Sequence, residues 1–439
     1  MKDAHDNETL AFVTLGMFII GTSAIPLLPG SLQTPTGGAH RLTTGADKIE
    51  YLDGTSKDKE NIVGGAGTFA ALGARLAAGI QHAKLVSWIV DMGSDFPPEF
   101  RKLIETWKTS CVFRTDRTRL TTTGWNGYGP GEFRAFKYLT PKRRLDEHSL
   151  ADEQVLARSF HMVCSPTRCM ALVNGIMERR RMLVAKMNTN QNTSDESLRV
   201  RPYFIWEPVP DLCTPEEFTR LRDAARHVDV VSPNAEEFAA LFTSNPKCVT
   251  REDMVATFFG AQGQSLAQPG YLGDVALVIR EGAQGCTTYL GTGADIRRPL
   301  HLRAYHRDSK RVVDPTGGGN TFLGALAIGM TGTMCPSPSE IETRLAVSKV
   351  PDSGLSQQRR LLFALIHATV AAGYAIEQTG MPVLSSTSTP TGEGEDNDTD
   401  EEVWNGEGYQ ERFWKYVERE SVYIGSQFDE KQTMSSSIP

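Results

Sequence analysis

The residues with the densest chemical potential run from Asp314 to Leu326, DPTGGGNTFLGAL: a carboxylate, a threonine, three successive glycines and an asparagine, leading into apolar residues at helical spacing. The first N–H groups of a helix have no intrahelical partner, and glycine leaves them uncovered, so Gly317, Gly318 and Gly319 form a candidate cradle for an anion. The helix dipole favours the same charge. In phosphoryl transfer such amides support charge on the moving group, and positioning with electrostatic support is most of what the protein supplies. The competing reading is structural, a tight strand-to-helix turn that needs glycine for its own sake. Asn320 follows the cradle directly. Its amide oxygen accepts a hydrogen bond but has almost no basicity, so it can orient a hydroxyl and cannot take its proton. Asp314 precedes the turn while position 320 opens the helix, which makes that carboxylate a poor substitute.

These residues need a scaffold, and short β-branched runs alternating with helical periodicity predict an α/β chain around a mainly parallel sheet. The clearest strands are YFIW (203–206), VDVV (228–231), VALVI (275–279) and RVVD (311–314), with AFVTLGMFII as a buried first strand. After VDVV, the segment SPNAEEFAALF predicts a helix capped by Ser232, with Pro233 at its first position and Phe238, Leu241 and Phe242 on one face. The stretch CVFRTDRTRLTTTGWNGYGPGEFRAFKYLTP mixes threonine, aromatic and glycine residues, which favours antiparallel ribbons and a small β lid over about 111–145.

Taken together, these segments resemble the PfkB, or ribokinase-like, family of carbohydrate kinases, whose second signature runs approximately D[ST]TGAGDxF. Asp314, Thr316, Gly317, Gly319 and Phe322 match it in register. The segments NIVGGAGTFAALGARL (61–76), VDMGSDFP (90–97), VSPNAEEFAAL (231–241), VIREGAQG (278–285) and ATVAAGYAIEQTGMP (368–382) are similar to the family's other motifs in order and spacing, over roughly residues 10–383. GMFII, GGAGT and DPTGGGN together resemble a divergent fungal subgroup related to a yeast factor for killer-virus maintenance.

The resemblance implies a ribokinase-like three-layer α/β/α sandwich with a small β lid. It implies ATP and magnesium as cofactors and a sugar or nucleoside-like small molecule as substrate. Asp314, Thr316, Asn234, Glu237, Gly282 and Gly285 fall at nucleotide-side positions, with Glu237 organising magnesium-bound water. Gly64, Gly65 and Gly21 fall on the substrate side. Asn320 stands where the family carries its catalytic aspartate. Gly21 stands where it has a sugar-binding aspartate, and Phe69 where its first signature has asparagine. A pocket lacking those polar groups loses what distinguishes one sugar from another. Two functions follow as expectations: a carbohydrate kinase weakened at its general base, or an inactive relative that binds nucleotide and acts as a regulator or scaffold.

At 439 residues with a formal charge of −7, the chain is long enough for a sizeable core and carries no overall basic surface for nucleic acid. ERRRM (178–182) and PKRRL (141–145) read as solvated faces. Seven cysteines without CxxC spacing predict reduced thiols in a cytoplasmic protein, and His161 and His367 on apolar segments read as core residues. The apolar stretch Leu10–Pro29 is interrupted by glycine, proline and hydroxyl residues and follows an acidic segment, unlike a signal peptide or membrane span. The kinase-like domain is expected over 1–384, an acidic disordered linker over 385–402, and a terminal amphipathic helix with a disordered tail over 403–439. That helix carries Tyr409, Phe413 and Val417 at i, i+4 and i+8 and could serve a homodimer or protein partner.

Overall fold

Along each central strand, alternate residues enter two separate hydrophobic cores. Phe12, Val86, Trp88, Ile205, Val230 and Val278 join one, while Val13, Ile89, Phe160, Trp206, Val231 and Leu277 join the other. A sheet with both faces apolar must be covered on both sides, which is the three-layer arrangement expected. The computed structural model describes residues 8–24, 62–128, 134–189, 200–260, 275–292, 295–296, 299–345, 355–387 and 401–427.

The main sheet contains β1 (Phe12–Thr14), β4 (Val86–Met92), β5 (Ser110–Thr115), β8 (Ser159–Cys164), β9 (Tyr203–Pro208), β10 (Val230–Val231) and β11 (Ala276–Arg280), followed by β12 (Cys286–Thr292), β13 (Asp295–Ile296) and β14 (Leu300–Leu302). Its order is β13-β12-β11-β10-β9-β8-β1-β4-β5, with β14 also on β12. From β11 to β5 all neighbours are parallel, and the turn back at β12 is antiparallel. A second sheet, ordered β3-β2-β6-β7, joins β2 (Ile19–Ala24), β3 (Ile62–Gly64), β6 (Thr123–Tyr128) and β7 (Arg134–Tyr138). A third joins β15 (Leu384–Thr387), β16 (Glu401–Trp404) and β17 (Glu407–Gly408).

One face carries α1 (Ala66–Ala78), α2 (Pro98–Thr106), α8 (Gly318–Met330), α9 (Pro338–Leu345), α10 (Leu355–Ala375) and α11 (Tyr409–Ser426). The other carries α3 (Asp152–Val155), α4 (Pro166–Thr189), α5 (Phe218–Ala225), α6 (Ala235–Ala240) and α7 (Arg251–Phe259). Two glycines let α1 and α8 touch backbone to backbone: a methyl on Gly73 would overlap the Thr321 carbonyl, and one on Gly324 the Ala70 carbonyl. That close approach fixes the glycine turn against the start of α1.

Several sequence readings change here. RVVD is not a strand: Ser309–Arg311 is a 3-10 turn, and the Val313 and Asp314 amides both donate to the Ile376 carbonyl at the end of α10. AFVTLGMFII divides into β1 on the main sheet and β2 on the small one, because Gly16 meets the backbone of Gly67 between them. Cys111–Thr115 lies in β5 of the main sheet, so the small sheet draws on β2, β3, β6 and β7. The cap of α6 is Asn234 rather than Ser232, whose hydroxyl donates to the Val278 carbonyl. Residues 385–387 and 401–402 pair as strands, and 388–400 and 428–439 lie outside the described residues. The terminal helix exists as α11, with Tyr409, Phe413 and Val417 buried against the body of the protein, so its apolar face is already covered. All seven cysteines are free thiols. Among the described residues no helix is long and apolar enough to cross a membrane.

Candidate nucleotide site at the carboxyl ends of the strands

Parallel strands deliver their last residues to one edge, where open α/β sheets hold ligands. Here that edge receives Thr14 from β1, Glu207 from β9, Asn234 just after β10 and Arg280 at the end of β11. The glycine turn faces the same edge. Gly317 adopts a left-handed φ of 82°, a conformation that other residues enter at a cost of roughly 1–2 kcal/mol, and Gly318 and Gly319 open the 13-residue α8. Asp314 shapes the approach, its Oδ1 accepting from the Thr316 amide at 2.9 Å.

Three different groups press on the turn. A methyl on Gly317 would overlap the Phe69 ring, one on Gly318 would crowd the Ile376 side chain, and one on Gly319 would overlap Arg280 Nη1. Arg280 is therefore the charged wall of the cradle. Its Nη2 donates to Glu207 Oε1 at 2.6 Å and to the Ser232 carbonyl at 3.0 Å, and Glu237 Oε2 lies 3.7 Å from the same nitrogen. The Asn234–Glu237 pair closes a capping box on α6: the Glu237 amide donates to Asn234 Oδ1 and the Asn234 amide to Glu237 Oε2, both at 2.8 Å. Burial pushes the Glu237 carboxyl above its ordinary value, and Arg280 opposes that rise. Burial, with Arg280 assisting, also drives the His161 imidazole down to about 3, so this histidine is neutral. Its Nδ1 lies 2.9 Å from the Thr14 hydroxyl, which in turn accepts from the Gly16 amide.

Polar atoms left over mark the same edge. Glu207 Oε2, Arg280 Nε, Asn320 Oδ1 and Thr321 Oγ1 are buried with no hydrogen-bond partner among the described residues. Buried polar groups are rarely orphaned without a ligand or water to serve them. A cradle that any Cβ would fill, beside a guanidinium, fits the phosphates of a nucleotide. For magnesium the fit is narrower, since no group of three or more His, Cys, Asp or Glu side chains gathers among the described residues.

The candidate residues distribute as follows. Asn234, Glu237, Gly317, Gly318, Gly319 and Asn320 lie with Arg280 at the strand ends. Gly282 and Gly285, at φ 55° and 97°, turn the chain from β11 into β12 immediately beyond Arg280, and an Asn234–Arg280 bridge ties this loop to the start of α6. Gly64 pairs with Ile19 and Gly21 with Ile62 in the small sheet, whereas Gly65, at φ 94°, packs against the Met17 carbonyl and opens α1. From α1 the ring of Phe69 reaches Gly317, joining the first glycine motif to the second. Sequence reasoning overlooked Glu207 and Arg280. Both are charged residues at the end of an otherwise apolar strand, in FIWEP and ALVIR, and that contrast was the available signal.

No family model matches the chain. It is 32% identical over 341 residues to Protein MAK32 of Saccharomyces cerevisiae, covering 74% of this chain and 80% of that protein. It is 29% identical over 424 residues to an uncharacterised protein of Schizosaccharomyces pombe, with 94% of each covered. Among solved structures it resembles ribokinase from Giardia lamblia, with a TM-score of 0.55 at 15% identity over 85% of this chain and 94% of that one. It also resembles adenosine kinase from Schistosoma mansoni in complex with 2-fluoroadenosine, with a TM-score of 0.54 at 12% identity over 85% and 97%. Identities this low speak for the fold alone.

Proposed function

The chain belongs to the family of Protein MAK32 and has a ribokinase-like fold, and from that premise we propose that it is a PfkB-type carbohydrate kinase of a divergent fungal branch, which binds ATP at the glycine turn and slowly transfers a phosphoryl group to a hydroxyl of a sugar or nucleoside-like molecule. The observation that carries this reading is the side-chain-free helix start, left-handed Gly317 followed by Gly318 and Gly319, set against the Arg280 guanidinium.

ATP would supply the phosphoryl group and magnesium would neutralise part of the phosphate charge, with Glu237 as the residue that would hold its water and Glu207 Oε2 as a second acceptor. The chain's own contribution is positioning. The amides of Gly317 and Gly319 would donate to phosphate oxygens, the Gly318 amide turning back to the Pro315 carbonyl at 3.3 Å, and Arg280 would add a fixed positive charge beside them. Asp314 and Thr316 hold the shape of the turn. Asn320 orients the attacking hydroxyl. The substrate hydroxyl oxygen would form the new bond to phosphorus as the bond to the ADP leaving oxygen breaks, and the hydroxyl proton would depart to solvent or to the transferred phosphate rather than to Asn320. Losing a general base costs about 10²–10⁴-fold, which slows turnover while leaving nucleotide binding in place. On the substrate side, Gly64, Gly65 and Gly21 would line a seat that Phe69 makes more apolar.

A second reading, a nucleotide-binding regulator or scaffold without turnover, is favoured by the same Asn320 together with Phe69 against Gly317. The test is a screen of labelled γ-phosphate transfer to sugars and nucleosides, using wild type and Asn320→Asp, with ATP affinity measured on both. Transfer that rises at least tenfold in Asn320→Asp at unchanged affinity supports the kinase reading. ATP binding with no transfer from either protein supports the regulator. No ATP binding by either, with magnesium present, rejects both.

A further inference from the structure

A second cationic site lies at the opposite edge of the sheet. Helix α8 starts at the glycine turn and ends at Met330, a rise of roughly 20 Å. Beside its far end, at the amino ends of β8 and β9, is a cavity of about 450 Å³ lined by Arg158, Arg180, Arg201, Arg359, Arg360 and Tyr203, among other residues. That volume suits a small ligand.

The arginines are not equivalent. Arg201 pairs with Asp229 at 2.7 Å, and Arg359 with Glu342 at 2.7 Å, Glu342 being the carboxylate among the described lining residues. The other three have no carboxylate in a salt bridge among the described residues. Arg180 is 4% exposed, and its guanidinium donates to the carbonyls of Val155, Ala157 and Val200. Arg158 donates to the Thr333 hydroxyl, and its Nε is buried with no hydrogen-bond partner among the described residues. Arg360 is exposed and donates to the Tyr203 hydroxyl. Burial lowers the Arg158 and Arg180 guanidinium pKa values, Arg180 to about 10, and Glu8 offsets part of the effect at Arg158; both remain charged at neutral pH.

A buried cation without a counter-charge costs several kcal/mol, and a concave wall of like charge concentrates the field inside it. The guanidinium fork matches phosphate oxygens two at a time. We propose that this cavity binds a compact, multiply charged phosphate ligand, a pyrophosphate or the phosphate groups of a small phosphorylated molecule, with Arg158 and Arg360 as its principal donors and Arg180 as a buried positive charge behind them. The site is separate from the glycine turn and does not depend on the nucleotide reading.

The experiment is calorimetric titration of the full chain with inorganic pyrophosphate, without magnesium, at low and at physiological salt. Four proteins are compared: wild type, Gly319→Ala, Arg360→Glu and Arg158→Met. Arg360→Glu changes an exposed residue and keeps the fold testable if Arg158→Met does not fold. Binding retained in Gly319→Ala and weakened at least tenfold in Arg360→Glu is the expected result. Binding lost in Gly319→Ala but unchanged in Arg360→Glu assigns pyrophosphate to the glycine turn and overturns the proposal, as does failure of wild type to bind at millimolar pyrophosphate. ADP titrated into Gly319→Ala separates the two sources: it binds there and competes with pyrophosphate if the phosphates alone are read, and does not if free pyrophosphate is the ligand.

Discussion

Arg280 Nη2 donates to Glu207 Oε1 at 2.6 Å, across two strand ends that are 73 residues apart in the chain. The side chains are 14% and 11% exposed, so this ion pair sits largely out of water while its guanidinium also walls the glycine turn. Removing one partner strands the other, whereas removing both removes the conflict. Arg280→Leu should therefore lower unfolding free energy by about 3 kcal/mol, and Glu207→Leu/Arg280→Leu by distinctly less. Urea denaturation of the two single variants and the double variant gives the coupling. Strict additivity would mean that the pair does not act as a unit.

Gly317 tests a second contact at the same turn. Replacing it with alanine forces a Cβ into a left-handed conformation, costing roughly 1–2 kcal/mol, and into the Phe69 ring. Phe69→Ala/Gly317→Ala should recover the steric part of the loss and none of the backbone part. A double-mutant cycle on thermal midpoints separates them, and a zero coupling term would remove Phe69 from the turn.

Acid sensitivity follows from two buried histidines. His161 and His367 are both driven down to about 3, by burial first in each case. His367 is held between the Tyr409 hydroxyl at Nδ1 and the Pro336 carbonyl at Nε2, an arrangement that a neutral ring protonated at Nε2 satisfies. The unfolded chain binds their protons near pH 6.5 while the folded chain stays neutral, so their contribution is complete above that pH. It is lost progressively as pH falls toward 3. Between pH 6 and 5 each should contribute a slope approaching about 1.4 kcal/mol per pH unit. Stability measured in that interval should depend less steeply on pH in His161→Gln and in His367→Gln. An unchanged slope in both would contradict neutral burial.

The glycine signals were legible because each is local: a turn, a left-handed residue and a helix start lie within a few positions of one another. The strand interiors were legible for a similar reason, since a parallel sheet covered on both faces calls for short continuous apolar runs, and VALVI and YFIW are such runs. RVVD misled because two β-branched residues satisfy a propensity rule without showing where their amides go. Here they go to Ile376, and Val313 is 63% exposed. AFVTLGMFII misled because its break depends on Gly67, about fifty residues onward, arriving against Gly16. Arg280 and Glu207 belong to the same class. Each looks like an ordinary charged loop residue until parallel pairing brings the ends of β9 and β11 to one edge, and the arginine cavity gathers residues from 158 to 360 in the same way.

The terminal helix was read as a possible partner surface, and its packing turns that reading into a stability prediction. Phe413 is fully buried with its ring centroid 4.3 Å from that of His367, Tyr409 stacks near Tyr374 at 6.0 Å, and Arg412 bridges Glu377 at 2.6 Å and Glu407 at 2.8 Å. These contacts make α11 part of the core on the α8 and α10 side. Phe413→Ala removes a large ring that the surroundings cannot easily refill and should cost about 3–5 kcal/mol. The exposed Val422, on the opposite face of the same helix, supplies the control: Val422→Ala should change stability by no more than about 0.5 kcal/mol. Denaturation midpoints of the two variants decide between a core helix and an attached one, because an attached helix would leave the main transition unmoved by either substitution.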